Sequence, residues 1–206
     1  ALPQIGIQSG SPGFVDVGDK IFRITMPQTF LYENAAKYVA EEKGVKTTAV
    51  VYGADVPTLE EVATDAWPKA AEKHGIKVTS THKTQSDDKD YSSVIRKIAS
   101  ENPDGVLIAG LGQANITIAS QLRRAGWEGQ IIATPGVAGG VLKALKDQAD
   151  GIVYPVSFHP DANPEFSEKF KAAKDMDADN FVAESYDAVQ LLKAGIEKAE
   201  GELTRE

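Results

Sequence analysis

Residues 47–82, TTAVVYGADVPTLEEVATDAWPKAAEKHGIKVTSTH, change hydrophobic period twice. TTAVVY at 47–52 is a β-branched apolar run ended by Gly53, the pattern of a buried strand. Leu59, Val62, Ala63, Ala66, Trp67, Ala70 and Ala71 then recur at helical spacing and make one stripe. Thr58 and Glu61 stand at capping-box spacing, and Gly75 is a helix stop. IKVTSTH at 76–82 alternates again as a strand. A strand, a helix and a strand of these lengths predict a parallel pair joined by a helical crossover.

The same unit repeats on both sides. Upstream, IFRITM at 21–26 reads as a strand, and Leu31, Ala35, Tyr38 and Val39 as a helix ending at Gly44. Downstream, Tyr91, Val94, Ile95, Ile98 and Ala99 form a helical stripe closed by Asn102-Pro103. GVLIAG at 105–110 predicts a buried strand, 114–125 a helix stopped at Gly126, and QIIAT at 130–134 a strand. A helix over 139–147 and a strand GIVYPVS at 151–157 complete the series. Strict alternation predicts an α/β fold, a parallel sheet flanked by helices on both faces.

Both ends break the pattern. Residues 1–20 hold Ile5 and Ile7, then the Gly/Ser/Pro-rich SGSPG at 9–13. Asn163 caps a helix with Pro164 at its first position, and Phe166, Phe170 and Ala173 share its face. Val182, Tyr186, Val189 and Ile196 form a second stripe with no strand after it. Alone, the helices at 164–174 and 181–199 would expose Phe166, Val182, Val189 and Ile196. They are therefore expected to pack on a neighbouring chain or to fold back.

Composition narrows the function classes. The 206 residues carry 22 basic and 30 acidic side chains, a net charge of −8 and a pI near 5.0. No basic cluster exists to gather phosphates, which argues against nucleic acid as a partner. No apolar run approaches the roughly 20 residues of a membrane span. Absence of cysteine excludes disulfides, thiolate zinc ligands and a thiol nucleophile. Ala1-Leu2-Pro3-Gln4 is not a signal sequence and reads as the middle of a longer chain.

In an open parallel sheet, ligands bind beyond the carboxyl ends of the strands. That rule selects Tyr52–Pro57, Gly110–Gln113 and Thr134–Val137, with weaker cases at Thr84–Asp88 and Ser157–Pro160. GLGQAN at 110–115 lacks the third glycine of a dinucleotide fingerprint, and no acid ends the following strand. His74, His82 and His159 show neither nucleophile nor metal-ligand spacing. Asp87-Asp88-x-Asp90 lacks the glycine and distal Glu of a calcium loop, and Asp175, Asp177 and Asp179 read as a solvated turn. Neither a metal nor another cofactor is expected.

Several stretches resemble one family. They are IFRITMPQTF at 21–30, TTAVVYGADVPTLEEVA at 47–63, HGIKVTSTHKTQSDDKDYSSVIRKIASENPDGVLIAG at 74–110, QLRRAGWEGQIIATPG at 121–136 and FVAESYDAVQLLKAGIEKA at 181–199. Together they are similar to type I periplasmic solute-binding proteins of ABC transporters, in the branched-chain (hydrophobic) amino acid group. The resemblance implies two α/β lobes joined by crossover strands, with ligand trapped between them. It implies that 1–20 is the first crossover, 21–157 the C-terminal lobe, and 158–206 a return segment whose two helices belong to an otherwise missing N-terminal lobe. In this family, hydroxyls and backbone N–H groups of that missing lobe hold the ligand carboxylate.

Matching the stretches places family pocket positions at Pro57, Leu111, Pro135 and Phe181. In the amino acid binders the first two are typically tyrosines and the third an acid that meets the substrate ammonium. Here only the aromatic at Phe181 is kept, and Asp55 is the nearest replacement carboxylate. The expected ligand-binding set is Asp55, Val56, Pro57, Leu111, Gln113, Pro135, Gly136 and Phe181. The implied function is the extracytoplasmic component of an importer, periplasmic or lipid-anchored outside the cell. It would carry a small amino acid or small organic acid, aromatic acids included, to membrane permease subunits. A sensory or regulatory domain on the same fold is the alternative.

Overall fold

The structure, a computed structural model, describes residues 2–11, 13–138 and 140–199. The chain divides into two units, residues 28–155 and residues 1–27 with 156–206.

The first unit is built on four parallel strands in the order β4-β3-β5-β6. These are β3 (Thr47–Gly53), β4 (Lys77–Thr84), β5 (Gly105–Ala109) and β6 (Gln130–Ala133). Central β3 pairs with both neighbours, Thr48 opposite Gly105 on one side and Thr47 opposite Lys77 on the other. A bulge between Thr48 and Ala49 leaves Thr79 without a partner, and its hydroxyl donates to the Thr48 carbonyl at 3.3 Å.

Helices cover both faces. Val50, Tyr52, Leu107, Ala109 and Ile132 pack under α1 (Gln28–Lys43), α2 (Pro57–Glu61) and α3 (Trp67–Lys73). Ala49, Val51, Val106, Ile108 and Ile131 pack under α4 (Ser92–Glu101), α5 (Gly112–Arg124) and Leu145, the last residue of α6 (Gly140–Leu145). Adjacent strand residues serve opposite faces, so a strand covered on both sides is apolar throughout.

Local chemistry explains several boundaries. Gly75 and Gly126 end their helices at φ 73° and 77°, a left-handed conformation that costs glycine little. Pro57 occupies the first helical position, which makes Val56 the N-cap. The expected capping box is therefore not used, and Thr58 lies inside the first turn. Between α2 and α3 runs a π-helical turn, Val62–Ala66, where the Trp67 N–H reaches back to the Val62 carbonyl. The wider turn precedes Pro68, whose ring would crowd the preceding turn of a regular helix.

Two expected strands behave differently from the rest. The 21–26 strand shortens to β2 (Ile21–Arg23) and pairs in parallel with β1 (Gln4–Gly6), outside the main sheet. The 151–157 strand shrinks to a single bridge, Val153 with Ile132 on the β6 edge. Pro155 has no N–H to continue that ladder. The expected helix at 139–147 is short, with a 3-10 turn at Lys146–Ala149 after it.

The second unit contains the β1–β2 pair, a 3-10 turn at Phe14–Val17, α7 (Pro164–Lys174) and α8 (Asn180–Lys198). Asn163 caps α7 by accepting from the Phe166 N–H at 3.1 Å, as the sequence implies. Asp179, read as part of a solvated turn, instead caps α8 through the Val182 N–H at 3.0 Å. Phe166 packs between Phe158, Phe170 and Tyr186, at centroid separations of 5.8, 6.4 and 5.0 Å.

Candidate functional site at the carboxyl rim of the sheet

The chain leaves β3 for β4 on one side, then crosses back to β5 on the other. The strand order therefore reverses between β3 and β5, where an open parallel sheet presents a crevice. The loop at residues 54–56 and the loop at residues 110–111 flank this point, with the turn after β6 one strand further along. Seven of the eight expected residues lie at this rim by topology: Asp55, Val56, Pro57, Leu111, Gln113 and, beside them, Pro135 and Gly136. Gly136 follows Pro135 in a 3-10 turn, and Phe181 lies in the other unit, in the first turn of α8.

The rim is held by short polar side chains. Asp55 accepts from the Ser86 N–H at 2.7 Å and from the Ser86 hydroxyl, tying the β3 loop to the β4 loop. These bonds, the hydroxyl's first, hold the Asp55 carboxyl below its ordinary pKa, so it is ionised at neutral pH. The Thr84 hydroxyl donates to the Tyr52 carbonyl at 2.9 Å, and the Ala54 N–H to the Thr84 carbonyl at 2.9 Å. Across the switch point, the Gly110 carbonyl accepts from both Asn115 Nδ2 at 2.9 Å and the Thr134 hydroxyl at 2.7 Å. A side chain at Gly110 would press within 2.9 Å of Asn115 Oδ1, so the close approach needs glycine.

The exposed side chains at the rim are Leu111 and Pro57, which are apolar, and Asp55 and Gln113, which are polar. Leu111 occupies the N-cap position of α5 in extended conformation and is 49% exposed. Pro57 is exposed, while Val56 is half-buried against the core beneath α2. Gln113 is exposed, and its amide reaches Thr117 on its own helix at 3.4 Å, so it runs along α5. The first N–H groups of α5 have no carbonyl one turn earlier to bond, and they open on this rim.

Ser86, Asn115 and Thr134 are not among the eight expected binding residues. Asn115 carried a signal: it shares a buried helix face with Ala114, Ile118 and Leu122, where a polar residue needs partners. Ser86 and Thr134 carried none beyond their places in the rim loops.

A second polar group, away from the rim, resembles a nucleophile relay only in composition. The Ser80 hydroxyl is 3.0 Å from His82 Nε2 and donates to Glu101, while His82 Nε2 lies 3.9 Å from Glu101. A hydroxyl proton already given to a carboxylate is not shared with the imidazole. Burial also pushes the His82 pKa down, against the opposing charge of Glu101. Among the described residues no three His, Cys, Asp or Glu side chains gather to hold a metal.

The sheet is doubly wound, and its braced rim lies at the switch point, where folds of this class place their ligand sites. The model of the periplasmic binding protein family matches residues 3–206, and the chain belongs to that family, with the type I fold. The Leucine-, isoleucine-, valine-, threonine-, and alanine-binding protein of Pseudomonas aeruginosa is 29% identical over 169 residues, 80% of this chain and 45% of the relative. A leucine-binding protein from Thermotoga maritima superposes with TM-score 0.87 at 22% identity, covering 95% of this chain and 57% of that one. A solute-binding protein from R. palustris in complex with benzoate gives 0.79 at 22% identity, covering 95% and 55%. The chain thus spans about half the length of the curated relatives it matches. The family is extracytoplasmic, and among the described residues no helix is long and apolar enough to cross a membrane.

Proposed function

We propose that the β3–β5–β6 rim is one wall of a ligand trap in the solute-binding component of an ABC importer. The observation that carries this reading is the division of labour at the rim. Asp55, Asn115 and Thr134 are engaged in bracing loops, while Leu111 and Pro57 are left exposed beside the unbonded N–H groups of α5. A rigid frame presenting apolar side chains and a few backbone donors suits a ligand with an apolar body and one anionic or polar end.

The ligand class is a small amino acid or a small organic acid, aromatic acids included. Asp55 keeps lone pairs beyond its two Ser86 bonds and is the rim carboxylate for an ammonium group. A second lobe closes over the rim, water leaves, and the closed form docks on permease subunits in the membrane. One unpaired polar group in the closed site would cost about 1–3 kcal/mol, roughly 10–100-fold in affinity. The protein works outside the cytoplasmic membrane, free or lipid-anchored.

Calorimetry with leucine, isoleucine, valine and benzoate tests this, using a chain extended to the full length of its relatives. One ligand class binds, and Leu111→Glu weakens it at least tenfold, or ~1.4 kcal/mol. The 206-residue chain alone binds far more weakly. Affinity indifferent to Leu111→Glu, or chemical alteration of the ligand, overturns the reading.

A further inference from the structure

The main chain passes between the two units twice, at residues 27–28 and 155–156, and a proline stands at each crossing, Pro27 and Pro155. Two positions from each proline, on the second unit's side, is a hydroxyl: Thr25 before Pro27 and Ser157 after Pro155. Both hydroxyls lie against one carboxylate, that of Glu184 on α8: Ser157 Oγ donates to Oε1 at 2.5 Å, and the Thr25 hydroxyl is near enough to lower the carboxyl pKa. Gln8, two residues beyond β1, donates its amide to the other oxygen. Glu184 is only 5% exposed, and no cation is paired with it among the described residues.

A buried carboxylate without a counter-ion is costly, and its hydrogen bonds must offset desolvation. Core packing alone would be served as well by an apolar residue, as Ala183 and Ala188 serve on the same helix. What an apolar residue cannot do is accept donors from separate chain segments at one point. We infer that Glu184 is a positioning residue that anchors both inter-unit connections to α8 and makes them pivot as one hinge. Proline stiffens each connection by fixing φ, and the hydroxyl beside it fixes where the stiff piece starts. A movement entering through one connection is then shared with the other through the carboxylate.

Backbone 15N order parameters of the 206-residue chain at residues 24–26 and 156–158 test the hinge without any ligand, so its outcome is separate from the transport reading. The wild type is expected to be rigid at both, near ~0.85. Glu184→Leu removes both acceptor oxygens, and both connections drop below ~0.6 together. Glu184→Gln keeps an acceptor oxygen for the Gln8 amide and an N–H that donates to the Ser157 hydroxyl, and holds both connections near the wild-type values. Thr25→Val and Ser157→Ala each loosen only their own connection, which keeps the test open if Glu184→Leu fails to fold. Rigid connections in Glu184→Leu, loosening of one alone, or connections as loose in Glu184→Gln as in Glu184→Leu overturns the inference. So does loosening of both connections by a single hydroxyl removal.

Discussion

Asp104 and Glu184 are both carboxylates that gather donors from distant segments, yet they respond to pH in opposite directions. Asp104 accepts from the Lys46 and Thr47 N–H groups, each at 2.9 Å, and from the Thr47 hydroxyl at 3.0 Å. These bonds, the Lys46 N–H first, hold its pKa below the ordinary 3.8. Its contribution to stability is complete above that value and is lost as pH falls through the lower, folded one. Glu184 is the reverse: burial raises its pKa above the ordinary 4.5, with the charge of nearby Asp187 adding to it and its hydroxyl partners opposing. Its contribution is complete below 4.5 and is lost as pH rises through the folded value. Thermal midpoints from pH 2 to 8 check both signs. The advantage of wild type over Asp104→Asn closes on acidification, and the advantage over Glu184→Gln shrinks as pH rises. At this scale the sequence marks the rim loops but not what braces them. Asp55 was legible as a rim carboxylate, whereas its capture by Ser86, 31 residues on, depends on two strands lying side by side.

Elements were read best where a stripe and a stop coincide. The stripe through Leu59, Val62, Trp67 and Ala71 lies buried as its spacing requires. Its anchor is Trp67, fully buried, with its indole N–H donating to the Thr48 hydroxyl at 3.1 Å and its ring edge-on to Tyr32 at 6.4 Å. Trp67→Ala removes this packing and is expected to cost about 3–5 kcal/mol, read as a lower urea midpoint with unchanged slope. Trp67→Phe keeps most of the volume but leaves the Thr48 hydroxyl without that donor, for about 1–3 kcal/mol. The π-turn ahead of Pro68 and the unused Thr58 box had no periodic signature, because proline geometry decided both. The reduced strand at 151–157 shows the same limit: Val153 pairs, and the ladder stops where Pro155 lacks an N–H.

On the scale of the molecule, apolar surface is concentrated in the second unit. Val189, Leu191, Leu192 and Ile196 of α8 are each 46–62% exposed, and Phe22 of β2 is 47% exposed. Pro3, Ile5, Phe22, Leu191, Leu192, Gly195 and Ile196 surround a cavity of about 340 Å³. Exposed apolar surface is unfavourable at about 25 cal/mol per Å². Concentration-dependent self-association of the 206-residue chain is therefore expected in sedimentation velocity, and Leu191→Glu with Ile196→Lys is expected to return it to monomer. Dispersed monomers of the unaltered chain at high concentration would refute this. Phe166 and Val182, expected to be exposed with that surface, are only half-exposed; Phe166 packs among the aromatic side chains around it.

The alternation of strand and helix, the helix stops and the location of the rim followed from the amino-acid sequence alone. Each depends on neighbours within a few residues, or on the rule that parallel strands share one carboxyl end. Strand partners, the bracing of the rim and the burial of Glu184 were decided only in three dimensions. Gln8 and Glu184 are 176 residues apart, and no local period encodes a hydrogen bond between side chains so distant in the chain.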